Sequence, residues 1–329
     1  MTDTVLVTGG AGYVGSHACK EIAAAGFLPV TYDNLERGND WAVKWGPLEK
    51  GDILDRERVA SVLEQHKPVA VMHFAAYAYV GESVDEPAMY YRNNVGGALV
   101  VLEEMFRVGI DKFILSSTCS TFGVPDVSPI PEDYPQNPVN PYGASKLMVE
   151  RVLADYASAH DFQSMILRYF NAAGADADGD IGELHKPETH LIPLAIDAAL
   201  EPDAALTVFG DDYPTPDGTC VRDYVHVTDL ATAHISTLKA LLDGHRGGSY
   251  NLGTGTGTSV LEIIDAVERN SGKRPSYTIG PRRDGDPPEL VAECTRIHDE
   301  FGWTPKYSDV DTLISTALAW KQKLAPSGA

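Results

Sequence analysis

The chain has 329 residues and a formal net charge of −21, so its surface repels nucleic acid and anionic lipid. We therefore expect no nucleic-acid partner and no membrane association, and no apolar run is long enough to span a bilayer. Four scattered cysteines, Cys19, Cys119, Cys220 and Cys294, show no paired spacing. This pattern favours the reducing cytoplasm and predicts no disulfide and no metal site. No signal segment is expected before the first strand.

The chain opens on a strand, a glycine-rich turn and a helix. Residues 4–8 are β-branched and apolar, as in a buried strand, and the turn has the spacing Gly9-x-x-Gly12-x-x-Gly15. Glycines let such a turn approach a pyrophosphate, whose charge meets the free amides at the helix N-terminus. A glycine triplet alone is a weak signal, but its place between strand and helix predicts a dinucleotide site.

An acidic residue ends the second predicted strand. Residues 27–32 predict that strand, and Asp33 follows it, with Asn34 next. A carboxylate there accepts hydrogen bonds from the adenosine ribose and repels a 2′-phosphate, which favours NAD over NADP. Arg37 nearby is a mild contrary signal, and Asp33 could also be only a turn former.

The next segments continue the alternation of strands and helices. A helix is predicted over residues 56–65, with Asp52 before it as either an N-cap or a neighbour of the adenine. Residues 69–76 predict a strand that ends in small residues suited to lie against a cofactor. His73 within it is interpreted as a packed core residue. A long helix is predicted over residues 87–107.

A row of hydroxyl residues, interrupted only by Cys119, occupies residues 116–121 and follows the buried strand predicted around residues 113–115. Such a row faces the ligand crevice of an α/β sheet, although it could also consist of turn residues. A helix begins near Tyr142, and Lys146 lies on the same face of it. An ammonium group and a positive nicotinamide ring would lower the phenol pKa from about 10 and make Tyr142 a usable base. The spacing Y-x-x-x-K often occurs by chance. A chance match is less expected in a chain that also has the glycine-rich turn and the row of hydroxyl residues.

The second half of the chain is less regular. A strand is predicted over residues 164–170, a loop over 176–189, an irregular stretch over 207–223, and a strand and turn over 224–229. The glycine-rich stretch 251–257 is not interpreted as a second phosphate loop. We expect a dinucleotide-binding domain over residues 1–175, with a return segment near 224–253, and a substrate domain over residues 176–329.

Several motifs together resemble a known family. TGGAGYVG, PYGASK, HFAAYAYVGESV, RYFNAAGA and GDDYPTPDGTCVRDYVHV are similar to those of the UDP-glucose (UDP-galactose) 4-epimerases in the extended short-chain dehydrogenase/reductase superfamily. The likeness covers nearly the whole chain. The resemblance implies the fold class α/β, with a Rossmann-type doubly wound parallel sheet and a smaller, interwoven C-terminal α/β substrate domain.

The resemblance assigns roles to individual positions. It implies that Tyr142 and Lys146 are catalytic and that Thr118 bonds the sugar 4-hydroxyl. NAD contacts are implied at Gly9, Gly12, Tyr13, Val14, Gly15, Asp33, Asn34, Asp52, Ile53, Phe74, Ala75, Ala76, Asn93, Ser116, Tyr142, Lys146 and Phe170. UDP-sugar contacts are implied at Thr118, Asn171, His190, Leu191, Thr207, Phe209, Arg222, Arg283, Asp286 and Leu290.

The implied reaction interconverts UDP-glucose and UDP-galactose. Carbon 4 gives a hydride to NAD and receives it back on the other face, while arginines hold the diphosphate. A homodimer built from helices near residues 92–108 and 142–158 is also implied.

Three positions depart from the family pattern. Ala78 stands where some members have a lysine that contacts NAD, and His190 stands where some have asparagine. Leu290 stands where side chains of different size border the sugar.

Two other interpretations stay open from the sequence. One is a related sugar-nucleotide enzyme, either a 4,6-dehydratase or a UDP-glucuronate-type epimerase or decarboxylase. Dehydratases of this kind carry an Asp-Glu pair after the Ser/Thr, where this chain has Cys119 and Ser120. The other is a non-catalytic NAD-sensing protein, which would not need Thr118, Tyr142 and Lys146 together.

Overall fold

A parallel sheet of seven strands organises the computed structural model, which describes residues 2–283 and 285–324. The strands are β1 Thr4–Thr8, β2 Leu28–Asp33, β3 Leu48–Lys50, β4 Ala70–His73, β5 Lys112–Thr118, β6 Gln163–Tyr169, β7 Asn171–Ala173, β8 Leu206–Phe209, β9 Val221–Arg222, β10 Tyr224–His226, β11 Gly247–Leu252, β12 Thr258–Ser259, β13 Tyr277–Gly280 and β14 Glu289–Leu290.

The α-helices flank this sheet and build a second unit. They are α1 Tyr13–Ala24, α2 Arg56–His66, α3 Val80–Asp85, α4 Pro87–Tyr90, α5 Gly97–Val108, α6 Pro141–Ala159, α7 Leu191–Leu200, α8 Val227–Leu242, α9 Val260–Ser271, α10 Thr295–Phe301 and α11 Val310–Leu324. A π-helical segment, Tyr91–Gly96, joins α4 to α5, and short 3₁₀ turns lie at Asp40–Ala42 and Cys119–Phe122. In the described part of the chain, no helix is both long and apolar enough to cross a bilayer.

The order of the strands places a crevice at the middle of the sheet. The strands lie in the order β11-β6-β5-β4-β1-β2-β3, and every neighbouring pair is parallel. The direction of strand addition reverses between β1 and β4, and ligands of open α/β sheets bind outside the carboxyl ends at such a switch point. The predicted doubly wound sheet is therefore confirmed.

The two faces of the sheet bury separate apolar clusters. Val5 and Val7 of β1 pack in the cluster that also contains Ile22 of α1 and Leu238 of α8. Leu6, between them in sequence, packs in the opposite cluster with Leu102 of α5. Alternate side chains of a strand point to opposite faces, so a strand covered on both sides must be apolar throughout.

A third cluster forms the core of the C-terminal unit. It contains Ile196 of α7, Ile264 of α9 and Leu318 of α11, packed against the pair β8 and β13. Three short strands, in the order β12-β9-β14, and the pair β10 and β7 connect this unit to the large sheet. The C-terminal half is thus interwoven with the sheet.

The structure differs from the sequence expectations at several places along the chain. The edge strand β3 was not predicted, since Leu48–Lys50 is short and partly exposed. The helix predicted over residues 87–107 is divided by the π-helical segment. The stretch 207–223 contains most of β8 and all of β9, which are too short to give a periodic signal. The turn predicted after the strand at residue 224 is instead the start of α8.

Candidate active site

In the glycine turn after β1, backbone atoms pack so closely that there is no room for side chains at Gly9 and Gly15. Gly9 has a φ of +73°, and a Cβ there would lie 2.5 Å from the amide nitrogen of Ala75. A Cβ on Gly15 would lie 2.2 Å from the carbonyl oxygen of Gly9. Gly12 is the N-cap of α1 and has no side chain that could accept hydrogen bonds from the first amides of the helix. A Cβ on Gly12 would contact only the Gly9 carbonyl oxygen, at 3.3 Å. The first amides of α1, at Tyr13 and Val14, are therefore presented to an anion.

Asp33 lies directly beside this turn, at the end of β2. Its carboxylate accepts the amide of Ala11 at 3.1 Å and the amide of Leu35 at 2.8 Å. The second bond belongs to an Asx turn, so Asp33 forms the turn as well as facing the cofactor crevice. Burial raises the pKa of Asp33, and the two amide bonds act against that rise. The guanidinium of Arg37 is held by Glu82 at 2.7 Å, which weakens the contrary signal for NADP.

The residues expected near the adenine lie together. The Asn34 side-chain amide donates to Asp52 Oδ2 at 3.0 Å, and Ile53 next to it is buried. The N-cap of α2 is Asp55, which accepts the Arg58 amide at 3.0 Å. The N-cap interpretation of Asp52 is therefore wrong.

The carboxyl end of β4 forms the adjoining wall. The amides of Phe74 and Ala75 both donate to the carbonyl oxygen of Thr8, at 2.9 and 3.0 Å, and this brings the small residues against the glycine turn. His73 is buried and hydrogen-bonded to the Thr8 hydroxyl at 2.8 Å, as expected for a core residue. Ala76 is half-buried, whereas Ala78 is exposed.

Asn93 lies in the π-helical segment, and its side-chain amide donates to Asn94 Oδ1 at 3.0 Å. Asn94, which the sequence analysis did not single out, is buried and bonds both the amide and the carbonyl oxygen of Tyr77. It also donates to the Ser145 hydroxyl at 3.0 Å. Asn94 therefore fixes the loop after β4 to helix α6. Single-turn π segments often occur at functional sites.

The three proposed catalytic residues converge at the carboxyl end of β5. Thr118 is the last residue of β5, and Tyr142 lies in the first turn of α6, with Lys146 one turn later. The Lys146 ammonium donates to the carbonyl oxygen of Ser116 at 2.8 Å. Asn140 caps the helix by accepting the Gly143 amide at 2.8 Å, which fixes the position of Tyr142.

Burial controls the titration of both catalytic candidates on α6. It raises the pKa of Tyr142 to about 12, although a hydrogen bond with Thr118 works in the opposite direction. It lowers the pKa of Lys146 to about 8, and the charge of Glu150 opposes that change. The expectation that neighbouring positive charge lowers the phenol pKa is thus not met by the protein groups alone. The cost of desolvating the phenolate is larger than the stabilisation that the surrounding protein groups give to its charge.

The arginine expected on the diphosphate faces the same crevice. Arg222 in β9 is buried and pairs with Asp286, and its Nη1 donates to the carbonyl oxygen of Val221 at 2.7 Å. The positive charge of Arg222 also acts to lower the pKa of the thiol of Cys119, the residue after Thr118. Leu290 of β14 is the strand partner of Arg222 and packs against the cluster that contains Cys119.

The other predicted substrate contacts lie around this centre. Arg283 stacks on Phe209, with 3.8 Å between the guanidinium carbon and the ring centroid, and Thr207 is exposed on the same strand. Phe170 is buried in the Cys119 cluster, and Asn171 after it donates to the carbonyl oxygen of Asp223 at 3.2 Å.

His190 and Leu191 lie at the start of α7. His190 is the N-cap residue but makes no side-chain capping bond, because its Nδ1 lies 2.5 Å from Glu183 Oε1. Leu191 begins the helix and packs against the third apolar cluster.

Comparison with known proteins agrees with this architecture. Residues 5–253 match the NAD dependent epimerase/dehydratase family. The chain belongs to this family. It is 52% identical over 330 residues to a UDP-glucose 4-epimerase of Rhizobium meliloti (strain 1021), covering 100% of both chains.

Solved structures show the same likeness. A UDP-glucose 4-epimerase from Brucella ovis, crystallised in complex with NAD, is 51% identical, with a TM-score of 0.95 over 97% of this chain and 98% of that one. One from Stenotrophomonas maltophila with bound NAD and formylated UDP-arabinopyranose is 39% identical, with a TM-score of 0.95 over 98% and 99%. The resemblance drawn from the sequence motifs is confirmed.

Two buried carboxylates of this family member escaped the sequence analysis. Asp223 is fully buried and accepts the amides of Thr254, Gly255 and Ala292 at 2.8, 3.0 and 3.1 Å, and also the Thr254 hydroxyl. The glycine-rich stretch 251–257 therefore wraps around an internal carboxylate. Its amides are used inside the protein, which explains physically why it is not a second phosphate loop.

The other missed carboxylate is Glu150, two helical turns after Tyr142. It forms a buried ion pair with Arg168 of β6 at 2.7 Å and accepts the Ser117 hydroxyl of β5 at 2.5 Å. Gln136 donates to it at 2.9 Å. Glu150 thus joins the helix that carries Tyr142 and Lys146 to the neighbouring strands β5 and β6 of the large sheet. The spacing 142, 146, 150 on one helix face was a signal that could have indicated it.

We expect Glu150→Gln to lower the free energy of unfolding by about 3–5 kcal/mol, because it leaves Arg168 buried without a counter-charge. Urea unfolding measures this. Arg151→Gln is the control on the same helix, since its pair with Asp155 is exposed on both sides, and it should cost less than about 1 kcal/mol. Glu150→Gln combined with Arg168→Met should recover part of the loss. If the Glu150→Gln variant were as stable as Arg151→Gln, the ion pair between Glu150 and Arg168 would not be a main source of stability.

Proposed function

We propose that the chain interconverts UDP-glucose and UDP-galactose with NAD, by inverting the configuration at carbon 4 of the hexose. The observation that carries the proposal is that Thr118, Tyr142 and Lys146 share the crevice with Arg222. That crevice lies at the switch point of the sheet. The relative from Rhizobium meliloti and both solved neighbours described above are UDP-glucose 4-epimerases. Both solved neighbours contain NAD, and the one from Stenotrophomonas maltophila also contains formylated UDP-arabinopyranose. This enzyme is an isomerase.

The residues around the glycine turn fit NAD. The free amides of α1 at Tyr13 and Val14 would take the pyrophosphate, and Asp33 would take the adenosine ribose. Bound there, NAD supplies a reversible hydride acceptor for carbon 4 of the sugar.

Tyr142 would remove the proton of the sugar 4-hydroxyl and later return it, with Thr118 orienting that hydroxyl. A phenol with a pKa of about 12 holds its proton at neutral pH, so the ionised form needs added positive charge close to the ring. Lys146, whose ammonium lies one helical turn away, and the cofactor ring are the two sources. Proton transfer is thereby coupled to the oxidation of carbon 4.

The substrate would be held at one end only. Arg222 and Arg283 would bind the diphosphate through charge-assisted hydrogen bonds, while the half-buried Leu290 borders the sugar without polar contacts. A sugar attached firmly at its diphosphate and loosely at its ring can turn over in the site. Asn171, His190, Leu191, Thr207, Phe209 and Asp286 would form the rest of this pocket.

The structure supports this reaction over a dehydratase. Elimination of water needs an acid and a base near carbons 5 and 6. Cys119, which follows Thr118, is buried, and burial raises the pKa of its thiol to about 12. Neither it nor Ser120 is an acid or base at neutral pH.

We also propose that residues 1–175 with the return segment 224–253 form the NAD-binding domain and that the rest of residues 176–329 binds the UDP-sugar. The return segment contains α8 and β11, which complete the large sheet and one of its helical faces. Hydrogen exchange would test whether these segments are protected as one unit. The cytoplasm is the proposed location, because all four cysteines are free thiols, and cell fractionation tests it.

Tyr142→Phe should keep the fold and NAD binding but lower the epimerisation rate by roughly 100- to 10,000-fold, because the general base is removed. The measurement is the conversion of UDP-galactose to UDP-glucose in a coupled assay, beside an NAD binding titration. Tyr156→Phe, on the same helix but away from the crevice, is the control and should keep full activity. Near-normal turnover by Tyr142→Phe would show that Tyr142 is not the base.

Leu290 should set the breadth of substrate. We expect UDP-glucose and UDP-galactose to be the main substrates, with slow turnover of UDP-N-acetylgalactosamine. An apolar wall discriminates by only about 1–3 kcal/mol per methylene of misfit, or roughly 10- to 200-fold. Leu290→Tyr should abolish the minor activity and Leu290→Ser should raise it.

The measurement is the ratio of kcat/KM for the acetylated and the plain sugar across these proteins. Leu28→Ser, at the exposed opposite end of β2, is the matched control and should leave the ratio unchanged. If this ratio does not change with side-chain size at position 290, Leu290 does not border the sugar.

We propose a homodimer that buries α5 and α6 against the same helices of a second copy. Two large apolar side chains, Phe106 of α5 and Met148 of α6, are 51% and 47% exposed. Exposed apolar patches on neighbouring helices are typical of interfaces.

Phe106→Glu with Met148→Glu should convert the dimer to a monomer in light scattering after gel filtration. Ile279→Glu is the control, because Ile279 is equally exposed but lies on β13 of the other unit. A wild-type protein that is monomeric at all concentrations would exclude the dimer.

A further inference from the structure

A cluster of two histidines and two glutamates lies just before α7, outside the machinery described above except for His190. Its members are Glu183, His185, Glu188 and His190, with the spacing E-x-H-x-x-E-x-H, and we refer to them as the His-Glu cluster. Each offers one ligand atom, and the four atoms all lie within 4.8 Å of one another. The expectation of no metal site was based on the spacing of the cysteines, which carries no information about a site built from histidines and glutamates.

The distances within the cluster match a tetrahedral metal site. Glu183 Oε1 lies 3.0 Å from His185 Nδ1 and 2.5 Å from His190 Nδ1. Glu188 Oε1 lies 3.3 Å from His190 Nδ1, and the other carboxylate oxygen, Oε2, lies 3.8 Å from His185 Nδ1. Ligands bound to zinc at its usual bond lengths are about 3.3 Å apart, a value that these distances bracket.

Two polar atoms of the cluster, on Glu183 and His185, are buried at ion-pair distance from each other without forming a hydrogen bond. Glu183 Oε1 and His185 Nδ1 are both buried and make no well-aligned hydrogen bond among the described residues, although Glu183 Oε1 lies within ion-pair distance of both histidines. The side chain of Glu183 is only 8% exposed, so its carboxylate cannot be satisfied by solvent on that side. Buried polar atoms without partners are rare in proteins. Atoms that converge on one point without hydrogen bonding to each other suit a common cation.

The chemistry of the donors selects the kind of ion. Two imidazoles, which bind metals in their neutral form, and two carboxylates are borderline ligands that suit zinc and similar transition metals, whereas calcium and magnesium prefer oxygen ligands alone. Two carboxylates also balance the charge of a divalent ion. Four protein ligands leave no open position, as in a structural site.

Surrounding contacts hold the ligands in place. The Thr189 and His190 amides donate to Glu188 Oε1 at 2.8 and 2.9 Å, and the Trp320 indole donates to the carbonyl oxygen of Glu183 at 2.8 Å. The ring of His185 packs edge-on against Tyr79, with 5.7 Å between centroids. Such outer contacts orient metal ligands.

A second cluster serves as a comparison. Asp176, Asp178 and Asp180 also lie close together, but Lys20 donates to all three, at 2.8, 2.7 and 3.4 Å. That site already contains its cation. The His-Glu cluster contains no lysine or arginine.

We propose that Glu183, His185, Glu188 and His190 bind one zinc ion, or a similar divalent transition metal, as a structural site. The ion would tie the segment 183–190 together just before α7 begins. This places it between the loop that follows β7 and the helix proposed to border the UDP-sugar. The proposal does not depend on the epimerase reaction.

The test uses the full chain after removal of metal with a chelator. We expect one Co²⁺ per chain, with the intense visible absorption bands of tetrahedral coordination, and displacement of Co²⁺ by one equivalent of Zn²⁺. Zn²⁺ should also raise the melting temperature, since a ligand bound only by the folded state stabilises it, and Ca²⁺ should not.

Two variants, His185→Gln and Glu188→Gln, should each weaken Zn²⁺ binding by at least about 100-fold and remove the tetrahedral Co²⁺ bands. His298→Gln is the matched control, an exposed histidine beside Asp299, and should bind as the wild type does. Circular dichroism confirms that each variant is folded, and Glu188→Gln serves if His185→Gln does not fold. A wild type that binds Zn²⁺ no more tightly than Glu188→Gln, or gives only octahedral Co²⁺ spectra, would show an ion-pair network and overturn the proposal.

Discussion

The buried ion pair between Glu150 and Arg168 determines where helix α6, which carries Tyr142 and Lys146, lies against the sheet. Glu150 belongs to α6, Arg168 to β6, and the hydroxyl of Ser117 on β5 donates to the same carboxylate. Removing two charges from water is costly, and only good geometry with further hydrogen bonds repays that cost. The geometry is supplied here, since three Arg168–Glu150 hydrogen bonds measure between 2.7 and 3.2 Å. A helix held in this way cannot slide along the sheet without leaving charges unpaired. The distance from Tyr142 to the end of β5 is fixed as a consequence.

Asp223 has the corresponding role for the other half of the crevice. It lies between Arg222 and the strand β10, and it accepts bonds from the glycine-rich stretch 251–257 and from Ala292. One carboxylate thus connects the segment with the proposed diphosphate arginine, the edge of the large sheet and the segment after Leu290. A Cβ on Gly253 would lie 2.4 Å from this carboxylate, so glycine is required there for close approach. Residues from distant parts of the chain that we propose to face the substrate are therefore positioned by one internal group.

The sequence predicted the dinucleotide half of the fold well because its signals are local. An apolar strand, a glycine turn and a helix follow one another within residues 4–24, and each has a period or a spacing that can be recognised. The C-terminal half was predicted less well, because β9, β12 and β14 have two residues each and exist only through pairing with distant segments. Asp52 shows that local signals can also be ambiguous in the dinucleotide half. Two acidic residues, Asp52 and Asp55, precede α2, and only the structure shows that Asp55 is the N-cap.

Titration was the least predictable property. Tyr142 and Lys146 lie one turn apart, as their spacing indicated, yet their proximity does not control the phenol. Burial raises the pKa of Tyr142 and lowers the pKa of Lys146, and it acts on each group through packing from several elements. Spacing along a helix reports which residues share a face, but it does not report how much water that face loses.

The overall acidity of the protein is compatible with an anionic substrate because of where its arginines lie. A net charge of −21 repels a nucleotide-sugar at long range, but salt screens exposed charges beyond about 8 Å at physiological ionic strength. At short range the local charges dominate. Arg222 is held in the crevice by Asp286 and the Val221 carbonyl, and Arg283 lies flat on Phe209. Both guanidinium groups are thus oriented before a ligand arrives, which reduces the entropy lost when a diphosphate binds. A phosphate entering the crevice would compete with Asp286 for Arg222, so the carboxylate keeps the arginine in place without the cost of an unpaired buried charge.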